Sequence, residues 1–158
     1  MEIATRDFGT VEIDESSIIT FEEGIIGFEN YHGFVLLDSS DETSPFRCLQ
    51  STEDNSLAFM LLDPYTVRPD YEVEINEDTA ALLSVDGNED IAIFAIVVVP
   101  ENYKMMSINL KAPIIINARE HIGAQYIIDK SEYGVRHFLT DEIERTKNLW
   151  PRADQTAV

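Results

Sequence analysis

Residues 91–100 read Ile-Ala-Ile-Phe-Ala-Ile-Val-Val-Val-Pro, which is the longest apolar run in the sequence. The run is about half as long as the roughly 20 apolar residues that a membrane-spanning helix requires. It is rich in β-branched residues, whose side chains pack well on a pleated sheet. We therefore predict a core β-strand from Ile91 to Val99. It ends at Pro100, because proline cannot donate to a strand ladder.

Shorter strand-like segments flank this run on both sides. The stretch from Ile3 to Ile13 alternates apolar and polar residues around a turn at 7–9, which predicts a β-hairpin. In Tyr71–Ile75 apolar residues alternate with Glu72 and Glu74, which predicts a strand with one apolar and one acidic face. The remaining predicted strands are Ile18–Phe21, Phe34–Leu37, Phe46–Ser51, Leu57–Leu62, Ser107–Ala112, Ile114–Asn117 and Tyr126–Ile128.

Glycine and proline mark several of the connections between these strands. Gly24 and Gly27 stand three residues apart, which predicts a compact loop with positive φ angles. Pro113 interrupts an otherwise strand-like stretch, so we predict an edge or a bulge there. The polar segments 38–45 and 86–90 are predicted to be a loop and a turn.

Two short helices complete the predicted elements. Asn76 precedes two acidic residues, an arrangement typical of a helix N-terminus, because asparagine caps free N–H groups and the helix dipole favours negative charge. This helix is predicted over Glu77–Leu83. A second, amphipathic helix is predicted from Leu139, with Thr140 as a possible N-cap and a loose tail after Pro151.

Predicted strands far outnumber predicted helices, and turns recur at the spacing of an antiparallel sandwich or barrel. We predict a mainly β fold: an antiparallel barrel-like or sandwich-like single domain with one or two short helices. A chain of 158 residues is long enough for one such domain to bury its own core. The β domain is predicted over residues 1–138. Residues 139–158 are predicted to form a C-terminal extension, a short helix followed by a loose tail.

Net charge is the strongest compositional signal. The sequence has 30 acidic and 11 basic residues and a net charge of −19. Residues 1–100 contain 22 of the acids and 3 of the bases, whereas residues 101–158 contain 8 of each. Such a field repels nucleic acid and anionic membranes but accelerates encounters with a basic protein. We therefore expect no direct nucleic-acid partner and no membrane partner. An acidic surface that serves only solubility is the alternative.

Cysteine content and the N-terminal residues bear on the location of the protein. Cys48 is the single cysteine, so the chain has no internal disulfide, and we interpret Cys48 as a small buried apolar residue in a reducing compartment. The first seven residues, Met-Glu-Ile-Ala-Thr-Arg-Asp, lack the basic start and the apolar run of a secretory signal. We therefore expect a cytoplasmic protein.

The sequence contains no recognisable catalytic or metal-binding motif. His32, His121 and His137 are isolated, without the spacing that places two imidazoles on one metal. Residues 86–90 resemble the start of a calcium loop, but the turn glycine and the bidentate glutamate of such a loop are missing. There is no glycine-rich phosphate loop with a lysine and no nucleophile elbow. We predict no enzyme activity, no metal and no cofactor, although an active site assembled from distant residues stays open.

Three sequence blocks stand out by their order and spacing. They are Phe21–Glu29, the stretch from Leu49 through Phe59 to Pro64, and Ile108–Asn117, which reads Ile-Asn-Leu-Lys-Ala-Pro-Ile-Ile-Ile-Asn. Together they resemble the family of flagellar assembly factors called FliW, over roughly residues 1–138.

The resemblance implies a β-rich, barrel-like fold and two protein partners. One partner is flagellin, which such factors hold in the cytoplasm before export. The other is CsrA, a small basic RNA-binding repressor of translation. In the implied partner switch, exported flagellin frees the factor, the factor captures CsrA, and translation of flagellin mRNA resumes. A chain with a net charge of −19 suits a basic partner.

Candidate sites for the two partners follow from charge and from the sheet pattern. For CsrA we predict an acidic surface within residues 1–100 that lowers RNA affinity without occupying the RNA site itself. For flagellin we predict a stretch in which an open sheet edge can accept a partner segment, although a structural bulge accounts for it equally well. The CsrA candidates are Asp70, Glu72, Glu74, Glu53 and Asp54, and the flagellin candidates are Asn109, Leu110, Lys111, Ala112 and Pro113.

Two other functions fit the sequence. One is an export chaperone for flagellin without CsrA antagonism, which is distinguished by whether CsrA binds at all. The other is a small β-barrel ligand carrier or enzyme, which predicts a concave site with clustered polar groups of shifted pKa.

Overall fold

The structure is a computed structural model that describes residues 1–38, 43–85 and 91–149. Within these residues the chain forms ten strands and two α-helices, with short 3₁₀ turns at Glu15–Ser17, Pro64–Thr66 and Tyr103–Met105. In chain order the strands and helices are β1 (Glu2–Ala4), β2 (Thr10–Glu12), β3 (Ile19–Thr20), β4 (Gly33–Asp38), β5 (Phe46–Ser51), β6 (Ala58–Leu62), α1 (Glu77–Leu82), β7 (Ile91–Val98), β8 (Ser107–Asn117), β9 (Ile122–Gln125), β10 (His137–Phe138) and α2 (Leu139–Leu149).

Seven of the strands close into a barrel. They are hydrogen-bonded in the order β8-β7-β6-β5-β4-β3-β9, and β9 pairs back onto β8. Neighbouring strands are antiparallel except β3 and β9, which are parallel at Thr20 and Ile122. β10 lies outside the ring beside the start of β8, and β1 and β2 form a separate hairpin. The predicted mainly β, barrel-like fold and the predicted hairpin are confirmed.

Alternating side chains divide the apolar core between the inside of the barrel and its outer face. Phe21 and Phe34 are fully buried in the inner cluster, with ring centroids 5.3 Å apart in an edge-to-face arrangement. Tyr71 belongs to the outer cluster, which covers β7 and β8. β7 contributes to both clusters, because Phe94 lies in the inner one and Ala95 in the outer one. The predicted core strand is therefore confirmed, and it ends at Val98.

The loop between β3 and β4 has the predicted glycine geometry. Gly24 and Gly27 have φ angles of +70° and +89°. A Cβ at Gly24 would lie 2.6 Å from the Cα of Glu29, so this turn has no room for a side chain. The loop places the Ile25 side chain in the inner core and leaves Ile26 exposed.

A bulge in β8 coincides with Pro113. Phe94 of β7 pairs with Ile114, but Ile96 pairs with Asn109, so residues 110–113 of β8 stand opposite a single residue of β7. Proline has no N–H to donate, and it stands where β8 leaves the β7 ladder. The prediction of an edge or a bulge at Pro113 is confirmed, and the bulge lies inside one continuous strand.

One predicted strand, Tyr71–Ile75, is wrong. These residues belong to no strand. The Tyr71 hydroxyl donates to the carbonyl of Leu110 (2.6 Å), and the N–H of Glu72 donates to the Tyr133 hydroxyl (3.0 Å). Tyr71 and Val73 pack on the outer core, and Ile75 packs on a separate cluster around Leu83. Their alternation with acids therefore reflects the packing of one face and not strand pairing.

The last predicted strand, Tyr126–Ile128, is misplaced. The strand in this region is β9, which ends at Gln125. The N–H groups of Tyr126 and Ile128 donate to the carbonyls of Pro113 (3.0 Å) and Lys111 (2.7 Å), so they bond to the bulge after β9 has ended. β10 was not predicted, because two residues are too few to show an alternating pattern.

Both predicted helices are present. The Oδ1 of Asn76 accepts the N–H of Thr79 (2.8 Å), as predicted for an N-cap, and α1 ends at Leu82. α2 begins at Leu139, so Thr140 lies within the helix and is not its N-cap. The predicted turn 86–90, the tail after residue 150 and part of the loop 38–45 lie outside the described residues. No helix in the described part of the chain is long and apolar enough to cross a membrane.

Gly123 of β9 allows the barrel to close over Phe21. A Cβ at Gly123 would lie 2.7 Å from two ring carbons of Phe21, which is fully buried. We predict that Gly123→Ala lowers the free energy of unfolding by about 1–3 kcal/mol, the usual cost of overpacking a core. Urea denaturation measures this change.

The matched control for Gly123→Ala is Gly134→Ala, where the nearest atom to an added Cβ lies at 3.7 Å. We expect the control to unfold like the wild-type protein. Equal stability of the two variants would contradict the role of Gly123 in closing the barrel.

Candidate partner-binding surfaces

Glu53 and Asp54 lie in the turn between β5 and β6. Glu53 Oε1 accepts the N–H groups of His32 (2.9 Å) and Gly33 (2.8 Å), and these bonds hold the pKa of the carboxyl below its ordinary value. Asp54 Oδ1 accepts the hydroxyl and the N–H of Ser56 (2.7 and 2.9 Å), which lowers the pKa of Asp54 in the same way. Both carboxylates therefore stay ionised at neutral pH while their hydrogen bonds order the turn.

An acidic cavity of about 560 Å³ lies beside this turn. Its described lining includes the carboxylates of Glu2, Glu53 and Asp54 and the N-terminal ammonium of Met1, which pairs with Glu12, but no lysine or arginine. We call it the acidic cavity. Its described lining residues are Met1, Glu2, Ile3, Ala4, Tyr31, Ser51, Thr52, Glu53, Asp54 and Asn55.

The other predicted CsrA residues lie in a different part of the structure. Asp70 accepts two bonds from the Arg145 guanidinium (2.8 and 2.5 Å), which hold the pKa of Asp70 below its ordinary value. Glu72 forms an ion pair with Lys130 at 2.9 Å, while Glu74 is exposed and makes no ion pair within the described residues. No described cavity or ion pair contains residues from both acidic groups. The structure therefore does not join the five predicted carboxylates into one patch.

Asp70 and Glu72 help to fasten later parts of the chain to the barrel. α2 is also attached by a buried ion pair between Arg68 and Glu142, with an Nη1 to Oε1 distance of 3.2 Å. The Arg68 guanidinium lies 4.9 Å from the centre of the Tyr133 ring, and the Thr146 hydroxyl donates to the carbonyl of Val67 at 3.0 Å. These contacts give residues 67–72 a structural role.

The predicted flagellin stretch, residues 109–113, is the bulge of β8. Asn109 Oδ1 accepts the N–H groups of Lys111 and Ala112 (3.0 Å each), so Asn109 shapes the bulge. Leu110 and Pro113 are buried. Asn109, Lys111 and Ala112 line a surface depression, but Ala112 is buried as well, so only Asn109 and Lys111 of the five predicted residues are partly exposed there.

The depression beside the bulge is mostly apolar and has a volume of about 270 Å³. Ile26, Ile127 and Val135 are exposed on its walls. Gln125 joins two of the walls, because its Oε1 accepts the N–H of Ile26 (2.9 Å) and its Nε2 donates to the carbonyl of Ala112 (3.0 Å). We call this surface feature beside the bulge the apolar depression. Its described lining residues are Ile25, Ile26, Phe59, Ile96, Asn109, Lys111, Ala112, Gln125, Ile127 and Val135.

A third depression, of about 340 Å³, lies between the acidic cavity and the apolar depression, and we call it the middle depression. Phe59 lines both it and the apolar depression, while Tyr31 and Asp54 line both it and the acidic cavity. Phe28 is exposed on its wall and contacts the Phe59 ring edge-to-face at 5.4 Å. The apolar and acidic surfaces therefore adjoin one another.

Sequence reasoning missed most of the apolar residues on these surfaces. Ile26 and Phe28 belong to the predicted glycine loop, where apolar residues in a tight turn are a detectable signal of an exposed patch. Ile127 falls within the strand predicted at Tyr126–Ile128. Val135 lies in a stretch without a visible pattern, so no sequence signal identifies it.

Cys48 is buried, as predicted, and burial raises the pKa of its thiol. Among the described residues, no group of three or more His, Cys, Asp and Glu side chains is placed to hold a metal ion.

The family model described as FliW protein matches residues 2–139 of this chain. The chain belongs to the FliW family of flagellar assembly factors. The resemblance predicted from the three sequence blocks is thereby confirmed.

Individual FliW proteins are similar over most of the chain. Flagellar assembly factor FliW from Caldanaerobacter subterraneus subsp. tengcongensis is 42% identical over 153 residues, which cover 97% of this chain and 100% of the relative. The factor from Caldicellulosiruptor saccharolyticus is 41% identical over 141 residues, 89% of this chain and 91% of the relative. A crystal structure of the flagellar assembly factor FliW matches with a TM-score of 0.82 and 36% identity, covering 88% of this chain and 96% of that chain.

The longer of these two alignments extends beyond the family model. With 153 residues aligned, the similarity to the Caldanaerobacter FliW protein includes α2. The helix that pairs with Asp70 and Arg68 is therefore part of the region shared with this relative.

The buried ion pair between Arg68 and Glu142 yields a stability prediction. Glu142→Ala would leave the Arg68 charge buried without its partner, and removing one member of a buried pair typically costs about 3–5 kcal/mol. We expect a loss near the lower end of that range, because Asp70 lies 3.9 Å from Arg68 Nε. Chemical denaturation measures the loss.

Glu144→Ala is the control on the same helix, because Glu144 is exposed. Its stability should stay within about 0.5 kcal/mol of wild type. A Glu142→Ala variant as stable as this control would contradict a structural role for the pair.

Proposed function

We propose that this FliW-family chain holds flagellin in the cytoplasm before export and binds CsrA once flagellin has left. Capture of CsrA relieves the repression of flagellin mRNA. The observation that supports this proposal best is the pair of adjoining surfaces of opposite character, the apolar depression and the acidic cavity.

The apolar depression suits flagellin. Exposed apolar side chains on a rigid barrel offer the desolvated centre that protein interfaces require. The apolar depression continues into the middle depression through Phe59, which lines both. Together the two depressions offer a longer apolar surface than either alone. An amphipathic helix can lay its apolar face on such a surface. The flagellin surface proposed here keeps Asn109, Lys111 and Ala112 from the sequence prediction and adds Ile26, Ile127 and Val135.

The acidic cavity suits CsrA, which the family resemblance describes as a small basic protein. Within the described residues Glu2, Glu53 and Asp54 form no ion pair, and Arg6, which lines the adjoining depression with Asp54, pairs with Asp7 instead. Asp70 and Glu72 are already neutralised by Arg145 and Lys130. We therefore place the main CsrA contact at Glu53 and Asp54, together with Glu2. The resulting negative field next to bound CsrA opposes RNA binding without occupying the RNA site.

The adjacency of the surfaces supports exclusive binding of the two partners. A stable protein interface involves about 20–30 residues on each partner, whereas ten described residues line the apolar depression and ten line the acidic cavity. Because the middle depression shares residues with both neighbours, interfaces centred on the apolar depression and on the acidic cavity overlap. Flagellin and CsrA therefore compete, as a partner switch requires.

A three-component mixture tests the proposal. The purified protein should form a complex with flagellin alone and with CsrA alone, and added flagellin should displace CsrA. Size-exclusion chromatography at physiological ionic strength measures all three results. Binding to flagellin only would favour an export chaperone without CsrA antagonism. Binding to neither protein would contradict the proposal and favour a ligand carrier or enzyme.

Matched variants locate the flagellin surface in the same experiment. Ile127→Asn should weaken flagellin binding at least about tenfold, because truncating a hot-spot residue at the centre of an interface costs about 2 kcal/mol or more. Val98→Asn is the control, since Val98 is 59% exposed and Ile127 is 57% exposed, but Val98 lies outside the apolar depression. Equal losses in the two variants would place flagellin elsewhere.

Charge neutralisation tests which acidic group binds CsrA. In the double variant Glu2→Gln/Glu53→Gln the amide oxygen at position 53 still accepts the two backbone N–H groups, so the turn is preserved while two charges are removed. We expect weaker CsrA binding with a smaller salt dependence, measured by calorimetry at two salt concentrations.

The comparison variant for CsrA is Glu72→Gln/Glu74→Gln, which removes the same charge from the other acidic group. We expect a smaller effect, because Glu72 is already paired with Lys130. The reverse ranking of the two variants would move the CsrA surface to residues 70–74.

A further inference from the structure

Lys111 differs from the other basic residues by its surroundings. It is half-buried in the apolar depression, and it is the single charged side chain among the ten described residues that line the depression. Its ammonium group makes no ion pair and no hydrogen bond with any described residue. Lys104, Arg136 and Lys147 also form no ion pair within the described part of the chain, but all three are exposed to solvent.

The backbone of Lys111 is held firmly in place. Its N–H is shared between the carbonyl of Gly134 (3.0 Å) and Asn109 Oδ1 (3.0 Å), and its carbonyl accepts the N–H of Ile128 (2.7 Å). The side chain therefore starts from a rigid platform. A group positioned in this way needs little reordering when a partner binds.

Among the described residues Lys111 is the one half-buried cation without an ion pair, in a chain that has 30 acidic residues against 11 basic ones. Carboxylates are abundant on the surface, yet none belongs to the described residues that line the apolar depression. A partner that covers the depression removes water from Lys111. Loss of hydration around an ammonium group is costly unless an opposite charge replaces the water. A purely apolar partner surface would therefore dock poorly here.

We propose that Lys111 is a specificity residue, which pairs with a carboxylate of the bound flagellin segment. The preferred segment thus combines an apolar face with an aspartate, a glutamate or a terminal carboxylate positioned to reach the centre of the depression. This inference rests on the proposed binding of flagellin at the apolar depression, and it specifies the chemistry of the segment that binds.

Titration of purified flagellin onto three variants tests the inference. Lys111→Met keeps the length and apolar stem of the side chain but removes the charge, and we expect affinity to fall at least about tenfold, as for a close interfacial charge pair. Lys111→Arg keeps the charge and should stay within about threefold of wild type. Lys104→Met removes an exposed, unpaired lysine outside the depression and should bind like wild type.

Salt dependence and thermal stability separate charge pairing from a structural effect. The wild-type affinity should fall more steeply with salt than that of Lys111→Met, because the lost charge pair is the screened contribution. Thermal unfolding shows whether the variants are folded. Unchanged flagellin affinity in folded Lys111→Met, or equal losses in Lys111→Met and Lys111→Arg, would overturn the inference and leave the proposed function standing. Failure of wild type to bind flagellin would overturn both.

Discussion

The bulge of β8 is the constraint on which the other features of the molecule depend. Asn109 Oδ1 holds it by accepting the N–H groups of Lys111 and Ala112. Because β8 leaves the β7 ladder over residues 110–113, its backbone groups there pair with the segment 126–134. That segment covers the outer core with Tyr133 and lines the apolar depression with Ile127. A regular ladder would use those backbone groups within the sheet and leave the segment without its partners.

The uneven charge along the chain has a structural counterpart. Two acids from the first hundred residues pair with bases from the last third, Asp70 with Arg145 and Glu72 with Lys130. These pairs fasten α2 and the segment before β10 to the barrel. The negative charges of Asp70 and Glu72 are therefore neutralised within the protein. The carboxylates of the β5–β6 turn have only backbone and hydroxyl donors, which keep them ionised without neutralising them. The surface that suits a basic partner is therefore smaller than the net charge suggests.

Local signals in the sequence were reliable where a single residue enforces the structure. Gly24 has a positive φ and no room for a side chain beside Glu29, and the side-chain Oδ1 of Asn76 caps α1. The predictions failed where the partner was distant. The alternation at 71–75 comes from the packing of one face and not from a neighbouring strand. For the candidate sites, the sequence prediction grouped Glu53 with Asp70 and Glu72, which the fold places elsewhere and pairs with Arg145 and Lys130.

The sequence by itself determined a mainly β domain with a core strand at 91–98, a tight glycine loop, a break at Pro113 and membership of the FliW family, because each of these depends on residue type and on spacing along the chain. Only the tertiary structure decided which acidic side chains are paired and which are available, and which apolar side chains stay exposed around Lys111. The reason is that pairing and exposure depend on contacts between segments far apart in sequence, and closure of the barrel sets those contacts.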